Sequence, residues 1–191
     1  MTDPDLLLAV EKQLAEALGN CTGRASVSFL GVEPIEVMRF GPDFDGLVRY
    51  ATLGMSRTPM TDPAAWIADP EGPRAELLLS IKGVQDGVLR SLAVLASSPS
   101  VEGVVLSAGA GLDLGEPLWP GSRFTAVLTG EAGGLVPDLE EPARVQLFPL
   151  FPMTPNEAAW KRVHGAEALE ERWLTQGCDL RDPRRPEADL S

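Results

Sequence analysis

The segment 147–186, LFPLFPMTPNEAAWKRVHGAEALEERWLTQGCDLRDPRRP, constrains the fold more than any other part of the chain. Residues 145–151 are apolar and bounded by prolines, the pattern of a short buried strand. Thr154 is a good N-cap, Pro155 suits the first helical position, and Glu157 stands three residues after the cap. One helix is expected over about 155–176, with Gly177 as its C-terminal cap and Pro183 beyond. At 100° per residue, Ala159, Val163, Ala166, Leu169, Trp173 and Leu174 share one arc with Trp160 at its edge, a stripe wide enough to lie on a sheet. Arg162 and Glu170 fall inside that arc. Either they snorkel past the rim with their charge in water, or they make a half-buried polar contact that fixes the helix. His164 lies one turn beyond Trp160 and reads as a packed surface histidine.

Upstream, Asp3 and Pro4 open a helix over about 3–18 whose Leu6, Leu7, Val10, Leu14, Ala17 and Leu18 form one stripe, closed by Gly19. Residues 24–32 and 35–40 read as strands joined by a hairpin at Gly31 to Pro34, and 47–53 as a third strand ended by Gly54. The proline-rich stretch 60–73 around Trp66 reads as an ordered, irregular loop and the chain's most mobile part. Residues 75–82 form a strand, and 86–97 a helix closed by Pro99. Strands follow at 101–106 and 123–129, then an acidic loop over 131–142. The order α-β-β-β-β-α-β-β-β-α implies an α+β fold, a largely antiparallel or mixed sheet with helices packed on it. Its 191 residues, 44% of them hydrophobic, suit one domain over 1–191 with a real core.

Lys and Arg number 16 against 28 Asp and Glu, so the net charge is 16 − 28 = −12. Phosphate repels such a surface, which argues against nucleic acid as a partner. The charge suits a basic partner, or it serves solubility alone. Cys21 and Cys178 make neither a disulfide framework nor a zinc site. The acidic start M-T-D-P-D is unlike a signal peptide, and no apolar run approaches a membrane span, so a cytoplasmic protein is expected. Chemistry-bearing motifs fail one by one. Gly109 to Gly115 resembles a dinucleotide loop, but its last glycine is a residue late and no helix follows. Asp43-Phe44-Asp45 lacks the glycine and the bidentate acid of a calcium loop. The single histidine, His164, excludes a histidine-rich metal site, and Ser56 and Ser122 lie in no nucleophile elbow. No catalytic residue, cofactor or metal is expected.

Three motifs carry a family resemblance. Thr154 to Pro186, through Glu157, Trp160, Lys161, His164-Gly165, Glu167-Ala168-Leu169 and Asp182-Pro183-Arg184-Arg185-Pro186, resembles the C-terminal signature of the suppressor-of-fused domain family. Tyr50 to Ser56, Y-A-T-L-G-M-S, is similar to the family's strand-and-turn. Leu118 to Thr129 resembles its proline-glycine-serine turn before a strand. The resemblance implies an α+β fold and protein binding rather than catalysis. The animal members hold a transcription-factor peptide between two halves, whereas this chain resembles the stand-alone bacterial type, for which an immunity role against a cognate toxin has been proposed. A peptide-binding adaptor, or an enzyme with an unrecognised site, are the alternatives. Candidate binding residues are the turn Thr52, Gly54, Met55 and Ser56, the tryptophans Trp66 and Trp119, and the acids Glu131, Asp138, Glu140 and Glu141. Each has a structural reading beside it. Gly54 permits a positive φ, Ser56 satisfies local backbone groups, the tryptophans fold back over the sheet, and the acids keep the protein soluble. Arg181, Arg184 and Arg185 are either a solvated tail or a contact for an acidic group.

Overall fold

The structure, a computed structural model, describes residues 2–191. Its elements in chain order are α1 (Asp3–Leu18), β1 (Cys21–Phe29), β2 (Val32–Phe40), β3 (Leu47–Leu53), a 3-10 turn (Met55–Arg57), β4 (Arg74–Lys82), α2 (Val88–Glu102), β5 (Gly111–Asp113), β6 (Ala126–Thr129), β7 (Val145–Met153), α3 (Pro155–His164) and α4 (Ala166–Thr175). The fold is α+β, as expected. Seven strands form one sheet in the order β1-β2-β3-β4-β7-β6-β5. All neighbours are antiparallel except β4 and β7, which run parallel from Arg74↔Val145 to Leu79↔Leu150.

Side chains alternate across the strands, so the sheet carries a core on each face. On one face Val37, Tyr50, Leu77, Leu79 and Phe148 pack with Val88, Leu92 and Leu95 of α2. The other face is shared. Leu6, Val10 and Leu14 of α1 cover Met38, Phe40, Ala51, Leu78 and Leu147, while Leu169 and Trp173 of α4 cover Ala126, Leu128 and Met153.

Several expectations are corrected. The helix over 155–176 is two helices, broken at Gly165, whose φ of 93° and ψ of 164° lie where only glycine rests without strain. The break resets the phase. Leu169 and Trp173 stay buried, but from the expected stripe Ala159 is exposed and Val163 and Leu174 stand 79% and 83% exposed. Of the two readings of Arg162 and Glu170, the one with the charge in water fits: both are exposed, and Arg162 lies 3.8 Å from Asp113. The strand expected at 101–106 does not form. Pro99 sits inside the last turn of α2 rather than closing it, the helix runs to Glu102, and left-handed Gly103 (φ 68°, ψ 43°) caps it. The short strand β5 appears instead within the glycine-rich segment.

Two buried carboxylates lock the chain. Glu76 on β4 takes the hydroxyl of Thr52 at 2.7 Å, the backbone N–H groups of Gly54 and Ser56 at 2.8 and 3.0 Å, and the Ser56 hydroxyl at 2.7 Å. Glu157 completes the expected capping box with Thr154. It also accepts from both Nη atoms of Arg185 at 2.8 Å, from Trp173 Nε1 at 3.2 Å and from the Ala188 N–H at 3.0 Å. Burial pushes the Glu157 pKa up, but Arg185 and the N–H donors of Ala188 and Thr154 outweigh it and hold the carboxyl below its ordinary value.

Candidate functional site

The structure sorts the candidate residues sharply. Thr52, Gly54, Met55 and Ser56 are all buried. Gly54 has a φ of 127°, and the hydroxyls of Thr52 and Ser56 both end on Glu76. The turn is an internal polar knot that presents nothing to a partner. Trp119 is buried too, tilted against Phe124 with ring centroids 5.9 Å apart, and it folds back into the core as one of its two readings allowed. Asp138 is spent on its own surroundings, accepting from the Leu147 N–H at 3.1 Å with Arg144 3.7 Å away. Arg185 is the buried partner of Glu157, Arg181 pairs with Asp179, and Arg184 remains exposed.

Trp66, Glu131, Glu140 and Glu141 remain at the surface. Glu131 stands apart, beside Glu167 and Glu170 in a groove that also includes His164 and Gly109. Burial, and then Glu131 and Glu167, raise the pKa of Glu170 there. His164 stacks on Trp160 with centroids 4.1 Å apart, as a packed surface histidine would.

Glu140, Glu141 and Trp66 come to one end of the sheet because β4 and β7 are parallel and start together, at Arg74↔Val145. The loop 60–73 leads into the first strand, and the segment 139–144 into the second. They border a cavity of about 220 Å³ lined by Pro70, Glu71, Gly72 and Arg74 on one side and by Ala143, Arg144 and Gln146 on the other.

The loop 60–73 is irregular, as expected, but tied at several points. The Met60 N–H meets the Pro73 carbonyl at 2.7 Å and shuts the loop at its base. Arg74 is buried beneath it and donates to the carbonyls of Ser56 (2.8 Å), Arg57 (2.5 Å) and Pro70 (3.2 Å). Asp62 accepts from the Ala64 N–H at 2.8 Å and Asp69 from the Glu71 N–H at 2.9 Å, two turns that flank the pair Trp66 and Ile67. Trp66 is fully exposed and Ile67 is 84% exposed. Asp62, Asp69, Glu71, Glu140 and Glu141 are exposed on these two segments, where Arg144 is the exposed cation among the described residues. Arg57 and Arg74 turn their guanidinium groups to backbone carbonyls. Sequence reasoning picked out Trp66, Glu140 and Glu141 but missed Ile67, Asp62, Asp69 and Glu71. The signal was present: a W-I pair bracketed by Asp-Pro dipeptides, in a loop without Lys or Arg.

Among the described residues no group of His, Cys, Asp and Glu is placed to hold a metal ion, and no helix is long and apolar enough to cross a membrane.

The seven-stranded mixed sheet, with one helix on its first face and three on its second, defines a single-sheet α+β domain whose C-terminal segment is tied in by a buried Glu–Arg pair. Residues 31–186 match the model of the suppressor of fused protein (SUFU) family, and the chain belongs to that family. No curated protein matches its sequence. A SUFU homolog from Neisseria gonorrhoeae FA 1090 shares the fold with a TM-score of 0.68 and 18% identity, over 96% of this chain and 97% of that one. The Sufu–Fu complex contains a chain with a TM-score of 0.66 and 10% identity, over 97% of this chain and 91% of that one. Drosophila Suppressor of Fused gives 0.65 and 12% over 96% of this chain, which spans 50% of the Drosophila chain.

Proposed function

We propose that this chain is a protein-binding domain of the immunity type, which neutralises a cognate basic toxin in the cytoplasm of a bacterium by covering its active surface. It works by binding and not by catalysis. The observation that carries this reading is the concentration of Asp62, Asp69, Glu71, Glu140 and Glu141 on the two segments that meet at one end of the sheet, where Arg144 is the exposed cation among the described residues of those segments. A net charge of −12 adds to the field of that end. A toxin that holds phosphate must itself be positive, and complementary charge speeds the encounter of two such surfaces. A Sufu of the same fold forms a complex with Fu, which supports binding of a protein as the general role.

The test is co-expression with the product of the reading frame adjoining its gene, followed by kinetics on the purified pair. The chain restores growth that the neighbour suppresses, and association slows as salt shortens the Debye length from about 8 Å. Neutralising Asp69, Glu71, Glu140 and Glu141 to Asn and Gln lowers the on-rate more than it changes dissociation. Absence of both rescue and binding overturns the immunity reading, and an on-rate indifferent to salt overturns its electrostatic basis.

A further inference from the structure

We propose that Trp66 and Ile67 are the anchor by which this domain holds its partner, and that the partner is a folded protein presenting an apolar pocket bordered by lysines and arginines. The proposal rests on the protein-binding reading above and adds the chemistry that is recognised. Folded proteins leave single apolar residues at the surface without consequence. Trp66 and Ile67 are different, because they are the one pair of sequence neighbours among the large, exposed hydrophobic residues described. A tryptophan alone offers about 150–250 Å² of surface, and buried aromatic anchors of this type dominate interface energetics.

The pair is held out rather than left loose. Met60 and Pro73 close the loop, Arg74 grips carbonyls at its base, and the Asp62 and Asp69 turns fix both approaches to the pair. Pro63 seats the loop on the end of α2, so closely that a Cβ on Gly103 would stand 3.1 Å from the proline's Cβ. A preformed loop gives up little conformational entropy on binding, which favours tight complexes.

Charge selects the occupant. Asp62, Asp69 and Glu71 flank the pair along the loop and are exposed, and the loop 60–73 contains no cation. A pocket edged with Lys or Arg meets these carboxylates, and a guanidinium laid on the Trp66 ring gains a cation–π contact. A second copy of this chain, docked about a two-fold axis, would bring the same carboxylates against one another. An anionic membrane surface would repel them.

In the test, immobilised wild-type chain and the double variant Trp66→Ala, Ile67→Ser capture proteins from extracts of the source cells. Each captured protein is identified, expressed alone and titrated against both forms. Both side chains are exposed, so the variant keeps the wild-type melting temperature. Dissociation from the identified partner accelerates more than about 30-fold in the variant, with a small change in on-rate. Crosslinking places residue 66 in an apolar pocket with Lys or Arg at its rim. Equal dissociation rates for the two forms overturn the anchor and leave the protein-binding reading intact. Self-association of the wild type that the variant abolishes overturns the assigned occupant. Capture of nothing by the wild type overturns both readings.

Discussion

Replacing Arg185 by alanine removes the only cation paired with Glu157, a carboxylate with no exposure to solvent. The wild-type guanidinium spends both Nη atoms on that carboxylate, reaches the Pro152 carbonyl at 2.8 Å, and lies 4.8 Å from the Phe124 ring and 5.4 Å from the Trp173 ring. Breaking one side of a buried pair costs about 3–5 kcal/mol, because the remaining charge is stranded. For a chain of this length each kcal/mol lowers the melting temperature by about 2–4 °C, so Arg185→Ala falls by about 6–20 °C at neutral pH. Thermal melts followed by near-UV circular dichroism, repeated across pH, are the assay. In the wild type the folded pKa of Glu157 lies below its ordinary 4.5. Its stabilisation is therefore complete above that value and lost as pH falls through the lower, folded one. Without Arg185, burial acts on the carboxyl unopposed by a cation and raises its pKa, so the folded variant takes up a proton that relieves the stranded charge. The deficit is thus widest at neutral pH and narrows on acidification. A melting temperature within 2 °C of wild type at pH 7, or a deficit that grows toward acid, refutes the reasoning.

Two further substitutions probe the other devices of the fold. Glu76→Ala leaves buried donors on Thr52, Gly54 and Ser56 without their acceptor, and at about 1–3 kcal/mol for each orphaned group the variant loses at least 3 kcal/mol in urea titrations; a loss under 1 kcal/mol means the knot re-pairs elsewhere. Gly165→Ala meets open space, with nothing within 4 Å of the added methyl, yet it forces a side chain onto a φ of 93°, so it costs about 1–3 kcal/mol of backbone strain; an unchanged melt means that α3 and α4 fuse into the single helix the sequence suggests.

The C-terminal capping box shows what local pattern can carry. Thr154 and Glu157 are three residues apart, and both reciprocal bonds form as read. Glu157 is also where local reading stopped. Its remaining partners are Trp173, Arg185 and Ala188, up to 31 residues away, and sequence spacing has no term for such contacts. Glu76 gave a usable hint, a carboxylate inside an otherwise apolar strand. In a buried strand such a residue must be satisfied from the side, and the adjoining T-x-G-M-S turn offers the hydroxyls and amides.

Periodicity, caps and composition determined the α+β class, seven of the helix and strand placements to within a few residues, and the acidic character. These properties are encoded in residues within a turn or a pleat of each other. Tertiary packing alone decided that the helix breaks at Gly165, that Trp119 goes inward while Trp66 stays out, and that the turn at Gly54 is interior. It also decided that the loops before β4 and β7 meet at one end of the sheet, because that depends on a parallel pairing between strands about 70 residues apart in the chain. Burial is a property of the assembled sheet and its covering helices, so two tryptophans in similar proline-rich surroundings could be told apart only after the core had taken the one that fitted.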